Sequence, residues 1–414
     1  MSTSAALHAF AGYGIELEYM IVNRQTLGIL PIADQLLRDA EGTPVSEVKR
    51  GTLAWSNELV LHLIELKNAS PDAALEPLAA LFQGEIGNIN RRLAPLGARL
   101  MPTAMHPWMD PLAETRLWPH EHAAIYQAYD RIFDCKGHGW ANLQSMHVNL
   151  PFAGDDEFAR LHAAVRLVLP ILPALAASSP FAEARDTGLL DARMDAYRRH
   201  QMKIPSTIGG VIPDTVSTRA EYQAQILAPI YRDIAPYDPE GVLRHEWLNV
   251  RGAIPRFDRN AIEIRVIDLQ ECPQADLAIA SAVIATVRAA YDGAWAPLAA
   301  QQAIGTDALV KILLACIRDA DQATIDDVGY LRLLGFPGRR CEVRALWQHL
   351  IETTLRSLTD GAAWEGPLRI ILERGVLARR ILRAAGDGAR TRLQAVYREL
   401  CDCLEQGRMF VALD

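Results

Sequence analysis

The chain is poor in cysteine: Cys135, Cys272, Cys316, Cys341, Cys401 and Cys403 are the only six among 414 residues, far too few for a disulfide scaffold. None forms a C-x-x-C pair, which excludes the usual structural zinc site, and Cys401-x-Cys403 has no second half. Free, buried thiols in a reducing cytoplasm are expected. Long hydrophobic runs are also missing. The most apolar stretch, Leu167 to Ala177, reaches about half a bilayer span and is cut by Pro170 and Pro173, so no membrane segment is expected. Met1 to Gly14 has neither a basic start nor a long apolar run, and no secretory leader is expected. An excess of positive charge is absent too: 42 basic against 50 acidic residues give a net charge of −8, which removes the simplest argument for a nucleic-acid or membrane-surface partner.

Several catalytic signatures are missing. No G-x-x-x-x-G-K-[ST] loop occurs, which excludes a P-loop. Gly12-Tyr-Gly14 precedes its strand and has no third glycine in register, the wrong order for a dinucleotide fingerprint. No G-x-S-x-G elbow supports a serine hydrolase, and His120, His122 and His138 match no standard zinc spacing.

What is present is an ordinary core: half the residues are hydrophobic and 22% charged. Gly14 to Val22 alternates with period two, so Glu16 and Glu18 point the same way from one strand. Glu58 to Leu66, Leu143 to Leu150 and Ala261 to Asp268 read as further strands. Asp72 to Leu96 has helical periodicity, as does Phe158 to Ala177. Residues 101–140 and 178–214 read as long loops of the kind that surround a site. From Ala275 onward the pattern is helical, with breaks near Gly305, Gly335 to Gly338 and Gly361 to Pro367. Strands first and helices last predict an α+β fold with an antiparallel sheet.

Acidic residues inside apolar strands are the strongest chemical signal, because an unpaired buried carboxylate is costly. Glu16, Glu18, Glu58, Glu65 and Glu263 occupy such runs, and His147 joins them. For one glutamate a wet sheet face is explanation enough. Five of them favour a shared cation, and an oxygen-rich set with one imidazole suits Mg²⁺ or Mn²⁺. Arg185, Arg193, Arg251 and Arg265 lie beside acidic residues in sequence, and planar donor forks suit phosphate or carboxylate; structural ion pairs are the alternative.

Taken in order, Gly14-Ile-Glu16-Leu-Glu18, Asn57-Glu58 with Glu65-Leu-Lys67, His106-Pro107, Ser145-Met-His147-Val-Asn149, Ser179-Pro180-Phe181 with Arg185-Asp-Thr-Gly188, and Ile262-Glu263-Ile-Arg265-Val-Ile-Asp268 make a specific set. Over roughly residues 12–290 the chain resembles the carboxylate–amine ligase family that includes bacterial and plant glutamate–cysteine ligases, type 2. The resemblance implies a fold like the catalytic domain of glutamine synthetase, a curved antiparallel funnel with inward carboxylates and outer helices. It implies ATP with Mg²⁺, Mn²⁺ being an alternative. Glu16, Glu18, Glu58, Glu65, His147 and Glu263 match the metal ligands; Arg265 and Arg251 match catalytic, phosphate-contacting arginines, with Arg185 also on the nucleotide. Arg193, Asn149 and His106 are the expected substrate contacts. The chain departs from the family pattern at Leu189-Leu-Asp-Ala-Arg193, where members often carry an aromatic-rich Ser-Tyr-Arg segment, so specificity is least transferable there.

The resulting expectation is a cytoplasmic, ADP-forming ligase that joins a small-molecule carboxylate to an amine through an acyl phosphate, with glutamate and cysteine as candidate substrates. Residues 1–300 would form the core and 301–414 a helical extension packed on it, with homo-oligomerisation open. A metal-dependent hydrolase or phosphatase could use the same groups, but no extra base is evident. A non-catalytic descendant would be expected to have lost some of the carboxylates.

Overall fold

The computed structural model describes residues 6–411; the first five residues of the stretch read for a leader lie outside them. An eight-stranded antiparallel sheet organises the molecule. Its strands are β1 (Gly14–Asn23), β2 (Glu47–Arg50), β3 (Leu53–Asn57), β4 (Leu63–Asn68), β5 (Ala98–Met101), β6 (Ser145–Pro151), β9 (Ala253–Arg256) and β10 (Ala261–Asp268). They run in the order β2-β3-β4-β1-β6-β10-β9, with β5 paired to the second half of β1. A separate two-residue hairpin, β7 (Phe181–Ala182) and β8 (Arg185–Asp186), lies off this sheet.

Alternation along β1 separates the two faces. Ile15, Leu17, Tyr19 and Ile21 belong to the main core with Phe82, Ile86 and Ile89 of the helix Glu76–Leu93 and the apolar residues of the helix Pro273–Tyr291. On the opposite face the strand changes character halfway. Met20 and Val22 pack with Tyr397 and Leu400 of the last helix, Arg390–Gln406, whereas Glu16 and Glu18 face a cavity. The C-terminal helices are tied to the core by buried hydrogen bonds: Tyr330 Oη donates to the Leu167 carbonyl at 2.7 Å and Trp347 Nε1 to that of Ile171 at 2.8 Å. All six cysteines are unpaired, and five are buried. No helix among the described residues is long and apolar enough to cross a membrane.

Several local expectations need correction. Glu58 to Leu66 is not one strand: β4 starts at Leu63, and Glu58 to His62 form a connection. Its apolar residues are there to be buried, Val60 in the second core cluster and His62 against the Ala141 carbonyl at 2.8 Å, so the pattern imitates a strand. The 101–140 loop contains the amphipathic helix Ala123–Phe133. The helix Gly361–Arg374 runs through Pro367, because burial of Trp364, Leu368 and Ile371 offsets the lost backbone bond; the chain breaks before Gly361 and at Gly375 instead. Strands β2, β3, β5 and β9 were not foreseen. β2 has one apolar residue, and β9 contains Pro255, which an edge strand tolerates.

Candidate active site

Sheet register brings the strand carboxylates together. Glu16 lies opposite His147 on β6 and Lys67 on β4; Glu18 lies opposite Glu65; Glu263 on β10 lies opposite Asn149. Directly opposed residues project to the same face. Glu16, Glu18, Glu58, Glu65, His147 and Glu263 all line one cavity of about 550 Å³. Close approach of β1 and β6 requires glycine at position 14, where a Cβ would stand 2.9 Å from that of Asn149.

Two ligand groups emerge: Glu16, Glu65 and His147, and Glu18, Glu58 and Glu65, each offering atoms within 4.8 Å of one another. Glu65 belongs to both. Neighbours hold the ligands in place. Ser145 donates to Glu18 from its backbone N–H at 2.7 Å and its hydroxyl at 2.9 Å. Ser56 Oγ reaches Glu65 at 2.6 Å, Lys67 Nζ reaches it at 3.0 Å, and Asn149 Nδ2 reaches Glu16 at 3.1 Å.

His147 Nδ1 stands 2.9 Å from Glu16. Burial alone would lower the His147 pKa, but the hydrogen bond to Glu16 and the charges of Glu18, Glu16 and Glu263 push it up to about 10. Burial opposes ionisation of Glu16 as well, yet His147 prevails and holds its pKa below the usual value. Glu58 behaves oppositely: burial, then the charges of Glu18 and Glu65, raise it well above the carboxylate range. Burial and nearby acids also raise Glu18 and Glu65. The set therefore carries more carboxylates than its one imidazole and one lysine neutralise, an all-oxygen-plus-imidazole environment that fits a hard divalent cation.

At the β10 end the sign reverses. Arg265 Nε donates to Glu263 Oε1 at 3.0 Å, and Arg256 Nη1 to Glu263 Oε2 at 3.3 Å. Burial raises Glu263, but Arg265, His147 and Arg256 bring it down to about 2. Arg193 also lines the cavity; its Nε pairs with buried Asp268, and its Nη2 has no partner among the described residues.

Three expected site residues lie elsewhere. Arg251 turns away from the cluster: its Nη2 pairs with Asp214 at 2.9 Å and its Nη1 donates to the Ser206 carbonyl at 3.0 Å. Arg185 is exposed on β8, and the motif that carries it closes a turn, with Gly188 N–H on Asp186 and Thr187 Oγ1 on the Pro180 carbonyl. His106 is buried with Nε2 2.7 Å from the Leu27 carbonyl and serves packing. Burial, chiefly, lowers its pKa to about 3. Sequence reasoning missed Arg256, Lys67, Ser56 and Ser145, although Lys67 and Ser145 stand two residues from Glu65 and His147. It also missed an aromatic wall in the same cavity, built by Tyr126, Tyr129, Trp140 and Trp247. A larger groove of about 830 Å³ between the helices Val343–Thr354 and Gly361–Arg374 brings together Glu and Arg side chains but, among the described residues, no ligand group of this kind.

Comparison with known proteins gives a consistent result. A protein of Archaeoglobus fulgidus named "Uncharacterized protein" is 30% identical over 96% of this chain and 100% of its own length. "Putative glutamate–cysteine ligase 2-3" of Rubrobacter xylanophilus is 29% identical over 44% of this chain, a match spanning 47% of that protein. "Putative glutamate–cysteine ligase 2" of a Bradyrhizobium strain is 26% identical over 67% of this chain and 62% of its own length. Among solved structures, the glutamate–cysteine ligase of Francisella tularensis in complex with AMP superposes with a TM-score of 0.58 at 12% identity, covering 95% of this chain and 92% of that one. That likeness shows the fold: the antiparallel sheet with a helical C-terminal region is the expected architecture. The sequence model of glutamate–cysteine ligase family 2 matches residues 13–399, and the chain belongs to that family.

Proposed function

We propose that this protein is an ATP-dependent, ADP-forming ligase that joins an amino-acid carboxylate to an amine through an acyl phosphate. One observation carries the reading: two adjacent cation-binding groups share Glu65 and lie in the same cavity as the Arg256–Arg265 pair on Glu263. Family membership and the likeness to a ligase crystallised with AMP support it.

MgATP, when bound, supplies the phosphoryl group and offsets repulsion between two anions. Glu16, Glu65 and His147 would hold one cation and Glu18, Glu58 and Glu65 its neighbour, with Mn²⁺ able to replace Mg²⁺. His147 would hold a cation as the neutral imidazole, giving up the proton that Glu16 otherwise favours. Arg265 and Arg256 present guanidinium donors at the edge of the carboxylate set, where charge on a transferring phosphoryl group needs stabilisation. The substrate carboxylate oxygen takes the phosphoryl group; the amine nitrogen then attacks the activated carbon, phosphate leaves, and the nitrogen loses a proton. No protein nucleophile is required, so the side chains position and neutralise. Arg193 provides a cationic wall for the carboxylate substrate.

The test is coupled release of ADP and phosphate over a panel of amino acids and amines with Mg²⁺. Release that requires both partners establishes the ligase; equal phosphate release with no amine would establish a hydrolase instead.

A further inference from the structure

The cavity that holds the carboxylates is also lined by a cluster of rings. Trp140 and Tyr129 have centroids 5.1 Å apart, and Tyr129 and Trp247 are 5.8 Å apart, so the three form a continuous surface. Tyr126, Ile125 and Leu143 extend it. At the rim His245 stacks on Trp247, with centroids at 5.0 Å and planes 14° apart.

Two of the wall's four polar ring atoms, those of Trp140 and Tyr126, are engaged within the protein. Trp140 Nε1 donates to the His200 carbonyl at 3.2 Å, and Tyr126 Oη accepts from Asn57 Nδ2 at 2.9 Å. Neighbouring Tyr197 donates its hydroxyl to the Val250 carbonyl at 2.9 Å. The wall therefore offers mainly ring faces and edges, which select by apolar area and shape. A thiomethyl-sized side chain such as that of cysteine could touch one ring, leaving the others wet.

Resting on the ligase reading above, we propose that the amine acceptor is an amino acid with an aromatic or large branched apolar side chain, which docks on the wall of Tyr129, Trp140 and Trp247. Its amino group then faces the carboxylate side of the cavity, where the acyl phosphate is formed. Apolar contact discriminates strongly when several carbons are at stake, at roughly tenfold or more for each well-packed methylene.

The experiment has two arms. Hydroxylamine, too small to use the wall, first tests the ligase reading by hydroxamate and ADP formation from each acid of a panel. With the acid that works, L-phenylalanine, L-leucine, L-alanine and L-cysteine are compared as acceptors, and the KM for MgATP is measured alongside. The expected result is a kcat/KM for phenylalanine or leucine at least about tenfold above that for cysteine, with the difference lost in Trp140→Ala. The half-buried Trp247→Ala provides a second variant should Trp140→Ala fail to fold. Quenching of tryptophan fluorescence by phenylalanine but not by cysteine is the expected binding signature. Hydroxamate formation together with preference for cysteine would overturn the inference and leave the ligase intact. A rise in KM for MgATP alone in the tryptophan variants would assign the wall to the nucleotide and also overturn it. Absence of hydroxamate with every acid would remove the ligase reading and this inference with it.

Discussion

Glu18 on β1 stands directly opposite Glu65 on β4, one acid facing another across a ladder. Burial and the charge of Glu65 both raise the pKa of Glu18. Like charges opposed on a sheet are destabilising, so this pair costs stability that a shared cation would return. In EDTA, Glu65→Gln should be as stable as the parent or more so, by about 1 kcal/mol, since the amide still accepts from Ser56. Mg²⁺ should raise the melting temperature of the parent but not of the variant, because only a native-state binding site stabilises. A parent protein indifferent to Mg²⁺ in thermal melts would end the metal assignment.

Arg265 is expected to matter more for turnover than for folding. Glu263 also contacts Arg256, so its carboxylate keeps a cationic partner when Arg265 is removed. Arg265→Ala should lower kcat at least about tenfold with a cooperative melt preserved, and Arg265→Lys should restore part of that loss, having charge without the planar fork. Unchanged kinetics in both variants would make Arg265 a purely structural partner of Glu263.

The acid limb of stability should come from histidines that the catalytic reading does not use. Burial lowers His62 and His200 to about 4, and His106 and His162 to about 3; Arg166 and Arg251 add to the effect at His162. The unfolded chain binds these protons near pH 6.5, whereas the folded protein resists them until pH 3 to 4. Their contribution is therefore complete above about pH 6.5 and falls as pH drops through that window. His162→Phe replaces a ring packed against Phe158 and Tyr222 with one that cannot titrate. Urea unfolding should show the variant close to the parent at pH 7 and relatively more stable by about 2 kcal/mol at pH 5. The same difference at both values would disprove the linkage.

How legible each part was follows from how local its cause is. The shared face of Glu16 and Glu18 is set by period-two alternation within one strand, and the strand positions of His147 and Glu263 were visible for the same reason. Register and neighbours are not local. Arg256 reaches Glu263 because β9 pairs with β10, a four-residue edge strand containing a proline that no periodicity announces. Arg251 was misplaced because its partner, Asp214, is 37 residues away and nothing in Asn249-Val-Arg251 points to it. The aromatic wall is assembled from the helix Ala123–Phe133, a short turn at Trp140 and a loop near Trp247, so its rings meet only in three dimensions.

The two loop regions make different kinds of contribution, which substitutions can separate. Residues 101–140 and 178–214 read in sequence as loops around a site, and Trp108 and Arg193 lie in them. Trp108 does not line the cavity of the carboxylates: it lies under the Arg390 guanidinium at 4.0 Å and against Tyr397 at 5.8 Å, at the seam with the last helix. Trp108→Leu should therefore lower stability by about 1–3 kcal/mol and leave the KM values for acid, amine and MgATP within about twofold. Arg193 does line the cavity, and its unpaired Nη2 is the group a substrate carboxylate would engage. Arg193→Lys keeps a cation beside Asp268 but loses the second fork nitrogen, so the KM for the acid should rise at least about tenfold while that for MgATP changes little. A uniform rise in all three KM values in Arg193→Lys would show that it shapes the whole cavity through Asp268 and does not contact substrate.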